Sequence, residues 1–231
     1  MIDKSAAKPL HWATSPGLVD YVAATAAMEA RAQLIADGRA SELIWLIEHP
    51  SLYTAGTSAK PDDLLDPGRF PVYETGRGGQ FTYHGPGQRV IYMMLDVRQR
   101  FGGDVRRLVA TIEDWLIATL SGLGVEAFRI RGQTGVWTSV PVRGRAEAGD
   151  AAKIAAIGLR VRRGGSFHGA ALNVSPDLGH FAGIVPCGLP QSGTTSLAAL
   201  GIDLTLKDVD KLLREEFERM IGPSEPAPPP L

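Results

Sequence analysis

The sequence predicts an α+β fold, a mainly antiparallel or mixed sheet with helices packed on one side. Helix-like and strand-like stretches interleave without a regular β-α-β alternation. Hairpin-like pairs of short apolar runs dominate the middle of the chain. No internal repeat is visible.

Residues 15–37 read as a first helix. Ser15 suits the N-cap and Pro16 the first helical position. Leu18, Val22, Ala26, Ala30 and Leu34 follow at four-residue spacing, and Gly38 ends the run. "ELIWLIEHP" (42–50) is a short apolar run stopped by Pro50, which predicts a buried strand. "SLYTAGTSAKPDDLLDPGRF" (51–70) reads as a loop. The next stretch, 71–97, reads as strand, glycine loop, short strand, turn and strand.

The clearest helix spans 104–121. Asp104 can cap it, and Val105, Leu108, Val109, Ile112, Trp115, Leu116 and Thr119 form one stripe. Residues 125–130 and 134–140 read as strands, and the polar "PVRGRAEAGD" (141–150) as an exposed loop. "KIAAIGLRV" and "SFHGAALNV" read as a hairpin joined by "RRGG". Residues 175–193 read as mostly irregular. Thr205 opens a last helix with Asp208 at the capping-box offset, and Leu206, Val209, Leu213, Phe217 and Met220 give its apolar face. The expected organisation is a single domain over 1–222 with a disordered Pro-rich tail over 223–231.

The composition fits a globular chain, with 44% hydrophobic and 21% charged residues. A formal net charge of −1 gives no global field for nucleic acid or an anionic membrane. One cysteine excludes an intramolecular disulfide framework and points to a reducing compartment. The N-terminal residues lack the apolar core of a signal peptide. No run approaches the ~18 apolar residues of a membrane span. The expectation is a cytoplasmic protein.

Four features bear on chemistry. "RGGQFTYHGPGQ" (77–88) crowds Arg77, Thr82, Tyr83, His84 and Gln88 around Gly78 and Gly79, which free the backbone for close approach to a ligand. A glycine-bulged hairpin with surface polar groups explains it equally. No Lys-Ser/Thr follows the glycines, so it is not a phosphate-binding P-loop. His84 and His168 both precede glycine, yet no carboxylate or cysteine stands near them at ligand spacing, and no metal site is expected.

Lys153 is the only lysine between residues 61 and 206 in a chain that writes most of its basic residues as arginine. It heads the run "IAAIGL", where period-2 spacing puts it and Ala155 on one face with Ile157, Leu159 and Val161 unless Gly158 interrupts the pleat. It can snorkel to water or reach into a pocket. Cys187, between Pro186 and Gly188, is an inert small hydrophobe or a nucleophile. A free thiol has a pKa of ~8.5, so a nucleophilic Cys187 needs a base or a positive charge beside it.

"RGGQFTYHGPGQ", "KIAAIGLRV", "HGAALNV" and "IVPCG", in this order, resemble the lipoyl(octanoyl) transferase family, from about residue 15 to about 221. The resemblance implies a fold similar to the catalytic domains of lipoate and biotin protein ligases. It implies octanoyl-acyl carrier protein as donor. As acceptors it implies lipoyl domains, those of 2-oxo acid dehydrogenase E2 subunits and of the glycine cleavage H protein. Neither a cofactor nor a metal is implied.

By the same resemblance Cys187 matches the nucleophile and Lys153 its activator. Arg77, Gly78, Gly79, Gln80, Phe81, Thr82, Tyr83 and His84 match the main substrate-binding loop. Ala156, Ile157 and Gly158, with Gly169, Ala170 and Ala171, match two further substrate-contacting segments. The implied reaction is ping-pong acyl transfer, with oxyanion donors expected near 78–79 or 169–170. Arg98, Arg100, Arg106 and Arg107 form a basic cluster suited to an acidic carrier, or simply a solvated helix start. The alternative activity is an ATP-dependent lipoate–protein ligase, which keeps a lysine like Lys153 but has no need of Cys187.

Overall fold

The computed structural model of the chain describes residues 10–140, 150–185 and 193–231. Cys187 and most of the expected 141–150 loop lie outside the described residues.

The elements are β1 (Leu10–Leu18), α1 (Tyr21–Ala36), β2 (Leu43–Glu48), β3 (Leu52–Ala55), β4 (Val72–Glu74), β5 (Phe81–His84) and β6 (Gln88–Met94). Then follow α2 (Val97–Phe101), α3 (Val105–Ser121), β7 (Ala127–Ile130), β8 (Gln133–Val140), β9 (Asp150–Arg162) and β10 (Gly165–Asn173). The last are β11 (Gly193–Thr194), α4 (Leu206–Met220) and β12 (Ser224–Pro226).

A mixed, mainly antiparallel sheet orders as β12-β1-β2-β6-β10-β9-β8-β7, with β11 added in parallel to β9. A smaller sheet, β4-β3-β5, stands beside it. The expected α+β class and mixed sheet are present.

The helices do not share one side. Ile44, Leu46, Ile91, Met93, Ala155, Ala170 and Leu172 pack with α2, α3 and α4 on one face. The alternate residues Leu43, Trp45, Ile47, Val90, Tyr92 and Ala171 pack with α1 on the other. Strands buried on both faces carry no polar alternation to announce this, and β2 reads as a continuous apolar run for that reason.

The first helix also starts later than its apolar spacing predicts. Asp20, not Ser15, is its N-cap, and its carboxylate accepts from Ala23 N at 2.8 Å. Ser15 instead lies in β1, where its hydroxyl accepts from Trp45 Nε1. The helix buries Tyr21, Ala24, Met28, Ala32 and Ile35, whereas Leu18 and Val22 are exposed. An alanine-rich helix is apolar all round, so several stripes fit the sequence equally.

By contrast α3 and α4 follow their stripes and caps. Asp104 accepts from Arg106 N and Arg107 N, and Thr205 and Asp208 close a reciprocal capping box. The expected loop at 51–70 contains strand β3 and a 3-10 turn at Pro61–Asp63. The tail expected to be disordered holds β12, which pairs in parallel with Leu10–Trp12. Arg214 and Glu218 of α4 bind Ser224 and fix that pairing. No helix among the described residues is long and apolar enough to cross a membrane.

Candidate active site

The β9–β10 hairpin supplies the floor of a cavity of about 330 Å³. Antiparallel register sets Gly169 opposite both Tyr92 and Gly158, and Ala171 opposite Val90 and Ala156. Residues directly opposite share a face, so Val90, Tyr92, Ala156, Gly158, Gly169 and Ala171 form one surface on the α1 side. Small side chains there leave room above the sheet. Two further positions of the expected segments, Ile157 and Ala170, border the cavity while their side chains pack in the opposite core.

The wall is the 77–84 segment. Its backbone is tied to the 55–58 turn by Gly56 N to Gln80 O, Thr57 N to Arg77 O and Ser58 N to Gly79 O. Two glycines are needed for this approach. Gly79 has φ +89, and a Cβ on Gly56 would stand 2.2 Å from Gly79 O. Arg77 is buried and spends its guanidinium on Thr54 O and Oγ1 and on Gly78 O. Arg77, Gly79, Gln80, Phe81, Thr82 and His84 line the cavity.

Two residues of that segment do not line it. Tyr83 points into a separate aromatic cluster with Tyr53, Phe70 and Phe181, and its hydroxyl lies 3.0 Å from that of Ser51. Strand alternation sends it the opposite way from Thr82 and His84. Gly78 donates its N–H to Leu159 O, docking the loop on β9. That N–H is therefore engaged, and Gly169 and Ala170 sit in ladders on both sides.

Lys153 reaches the cavity because β9 is bulged. Val136 pairs with Ala155, but the next residue, Trp137, pairs with Lys153, leaving Ile154 unopposed. Ile154 and Ala155 are both buried in the α2–α4 core. Unbroken alternation puts Lys153 on that core face with Ala155. The extra residue turns it to the other face.

There Lys153 is 8% exposed, donates to Thr134 O at 2.8 Å, and lies 4.7 Å from the Trp137 ring centre. Gly135 (φ +127) makes room, since a Cβ there would stand 3.1 Å from Lys153 Cε and 2.8 Å from Ala155 O. On its other edge Lys153 pairs with Thr194 of β11, where the chain returns after the Cys187 stretch.

Sequence reasoning missed much of the far wall. Tyr21, Tyr92, Gln133 and Thr134 also line the cavity, whereas His168, in the second of the two His-Gly dipeptides, lines it with His84 as that pair suggested. His49 stands behind them. Its Nδ1 donates to Val19 O at 2.7 Å, so its Nε2 accepts from the Tyr92 hydroxyl at 2.9 Å. Gln88 Nε2 donates to Tyr83 O, which turns Gln88 Oε1 toward His84 and places that ring's proton on Nδ1.

All three imidazoles are held neutral. Burial is the main cause, and it takes His84 down to about 3 and His168 to about 4, with Arg77 contributing to both. Burial likewise pushes the Tyr21 phenol up to about 12. Only the repeated "HG" hinted at two histidines on one pocket. No spacing pointed to Tyr21, Tyr92 or His49. No group of three metal-ligating side chains occurs among the described residues.

The expected basic cluster is divided. Arg100 is buried in an ion pair with Glu42, whereas Arg98 is mostly exposed.

The arrangement offers one ammonium at the rim of a small-residue slot, with neutral hydrogen-bonding rings on its far wall. It can take an apolar chain and hold a charge beside the chain's reactive end.

Residues 20–218 match the family model of the lipoyl protein ligase A/B catalytic domain. The chain is 52% identical over 227 residues to an octanoyltransferase of Chelativorans sp., covering 97% of this chain and 92% of that one. It is 56% identical over 225 residues to an octanoyltransferase of Caulobacter vibrioides, covering 97% and 98%.

The fold is similar to that of a bipartite lipoate protein ligase from Thermoplasma acidophilum, with a TM-score of 0.67 at 16% identity, covering 95% of this chain and 88% of that one. It is also similar to lipoate-protein ligase A solved with ATP, with a TM-score of 0.65 at 16% identity, covering 96% and 90%.

Proposed function

The chain belongs to the lipoyl protein ligase A/B catalytic-domain family, among its octanoyltransferases, and on that premise we propose a cysteine-dependent octanoyl transfer to lipoyl domains. It is an acyltransferase that works in protein lipoylation. The donor in this proposal is octanoyl-acyl carrier protein. The acceptors are lysines on lipoyl domains, those of 2-oxo acid dehydrogenase E2 subunits and of the glycine cleavage H protein. Residues 1–222 act as one catalytic unit in the cytoplasm, where the lone cysteine stays reduced.

The observation that carries the mechanism is Lys153. A bulge turns it into a cavity floored by Ala156, Gly158, Gly169 and Ala171, and the chain returning from Cys187 pairs with it at Thr194.

In the first half-reaction Lys153, as ammonium, stabilises the Cys187 thiolate. The sulfur attacks the carbonyl carbon of the octanoyl thioester. The C–S bond to the carrier breaks, and the carrier thiolate takes its proton from the Lys153 ammonium, leaving Lys153 as the neutral amine. One thioester replaces another, so little free energy changes and no ATP is needed.

In the second half-reaction the neutral ε-amine of the acceptor lysine attacks the Cys187 thioester. Its proton passes to the neutral amine of Lys153, which restores the ammonium, the new amide forms, and the thiolate of Cys187 is released. Conversion of thioester to amide is downhill and draws the sequence forward. The eight-carbon chain lies along the small-residue floor, where each buried methylene contributes about 0.8 kcal/mol.

Incubation with octanoyl-acyl carrier protein followed by intact mass tests the reading. One octanoyl adduct is expected, removed by hydroxylamine and absent in Cys187→Ser. Lys153→Ala is expected to slow adduct formation by about a hundredfold or more near neutral pH. ATP-dependent attachment of free lipoate, with no adduct from the carrier thioester, would establish the ligase activity instead.

A further inference from the structure

The Thr134–Gly135 peptide group carries two charged partners. Its carbonyl, Thr134 O, accepts from Lys153 Nζ at 2.8 Å. Its N–H, on Gly135, donates to Glu113 Oε1 at 3.0 Å. In a trans peptide these dipoles point to opposite sides. The ammonium therefore sits on the cavity side of β8 and the carboxylate on the α3 side. Glu113 is buried, an uncommon place for a carboxylate in the middle of a helix, and its second oxygen pairs with Arg129 Nε at 2.9 Å.

We propose that Glu113 is a positioning residue for Lys153, acting through this single peptide group; the inference rests on the catalytic role given to Lys153 above. A carboxylate on the N–H polarises the peptide and makes its carbonyl a stronger acceptor for the ammonium opposite. It also anchors Gly135 at φ +127, the conformation that opens the space where the Lys153 side chain lies. Removing the negative charge leaves the bulge in place and weakens the hold on the ammonium.

Other charged groups face these two. Arg77, His84 and His168 line the cavity with Lys153, the histidines being neutral. Trp137 covers Lys153 from β8, and β11 flanks it through Thr194. On the α3 side Arg129 of β7 faces Glu113 and also pairs with Asp114. Arg129 opposes the effect of Glu113, so substitutions at the two positions shift the same property in opposite directions.

The experiment is the pH profile of Cys187 octanoylation by the full chain. Glu113→Gln keeps an acceptor for the Gly135 N–H and removes the charge. Its alkaline limb is expected to lie at lower pH than that of the unmodified chain. Arg129→Gln is expected to move the same limb up. A Glu113→Gln protein with lower thermal stability but an unmoved limb would overturn the proposal, as would a downward shift in Arg129→Gln.

If Glu113→Gln does not fold, the Gly135 amide proton of the unmodified protein is followed by NMR through alkaline pH. Its chemical shift is expected to change along the alkaline limb of the reaction, and a shift that stays flat there would equally overturn the coupling. Loss of the Cys187 adduct in the unmodified protein would sink the reaction mechanism. An adduct with unmoved limbs would sink only the role of Glu113.

Discussion

His84 and His168 are neutral because each ring is buried where imidazolium would be poorly hydrated and would face Arg77. The unfolded chain takes up those protons near 6.5, the folded chain only near 3 and 4. Their contribution to stability is thus complete above pH 6.5 and is lost as pH falls toward the folded values. Asp210 works the other way, since burial lifts its carboxyl from 3.8 to about 6 despite its pairing with Arg89. Protonating it between those values favours the fold. The two histidine shifts together exceed that of Asp210, and His49 adds to them. Urea midpoints are therefore expected to be clearly lower at pH 5 than at pH 7. In His84→Gln the slope between those values flattens. An equal or higher midpoint at pH 5 would show that the rings do not govern acid stability.

Among the elements, β9 holds both Lys153 and part of the cavity floor. Its one-residue bulge at Ile154 changes the face of Lys153 without disturbing Ala156 and Gly158, which stay on the cavity floor. The β9–β10 floor also makes chain length a matter of side-chain size. Ala171→Leu puts three more carbons into the space beside Val90 and Ala156. At about 0.8 kcal/mol for each methylene displaced, kcat/KM for an octanoyl thioester falls by about fifty-fold. That for a butyryl thioester is expected to change little. Comparison of the two donors checks this, and a uniform loss for both would show damage to the fold rather than a shortened slot.

For the whole molecule, the sheet separates stability from chemistry. The cavity lies over β6, β10 and β9, whereas β12 lies at the far edge, four strands from β10 and three from β6. Ala227 N donates to Trp12 O and Ser224 Oγ to Glu218, while Ser224 accepts two hydrogen bonds from Arg214. Truncation after Pro223 is expected to cost about 2–6 kcal/mol of stability, at about 0.5–1.5 kcal/mol for each of these hydrogen bonds. The rate of Cys187 octanoylation below the melting transition is expected to be unchanged. A truncated chain that melts with the full-length one would show that the edge strand adds nothing.

Local chemistry was legible in the sequence. The caps at Asp104 and Thr205 and the hairpin around "RRGG" depend on neighbours a few residues away, and they stand as the spacing predicts. The α+β class and the family could be read for the same reason, from ordered motifs. Three features were decided only by tertiary structure. The face buried by α1 was set by the sheet it covers, because its alanines offer no unique stripe. The partners Tyr92, His49 and Tyr21 come together across strands that no spacing connects. The direction of Lys153 was set by β8, because alternation along β9 alone points it into the core. One unopposed residue in a pairing between distant segments sends it to the cavity instead.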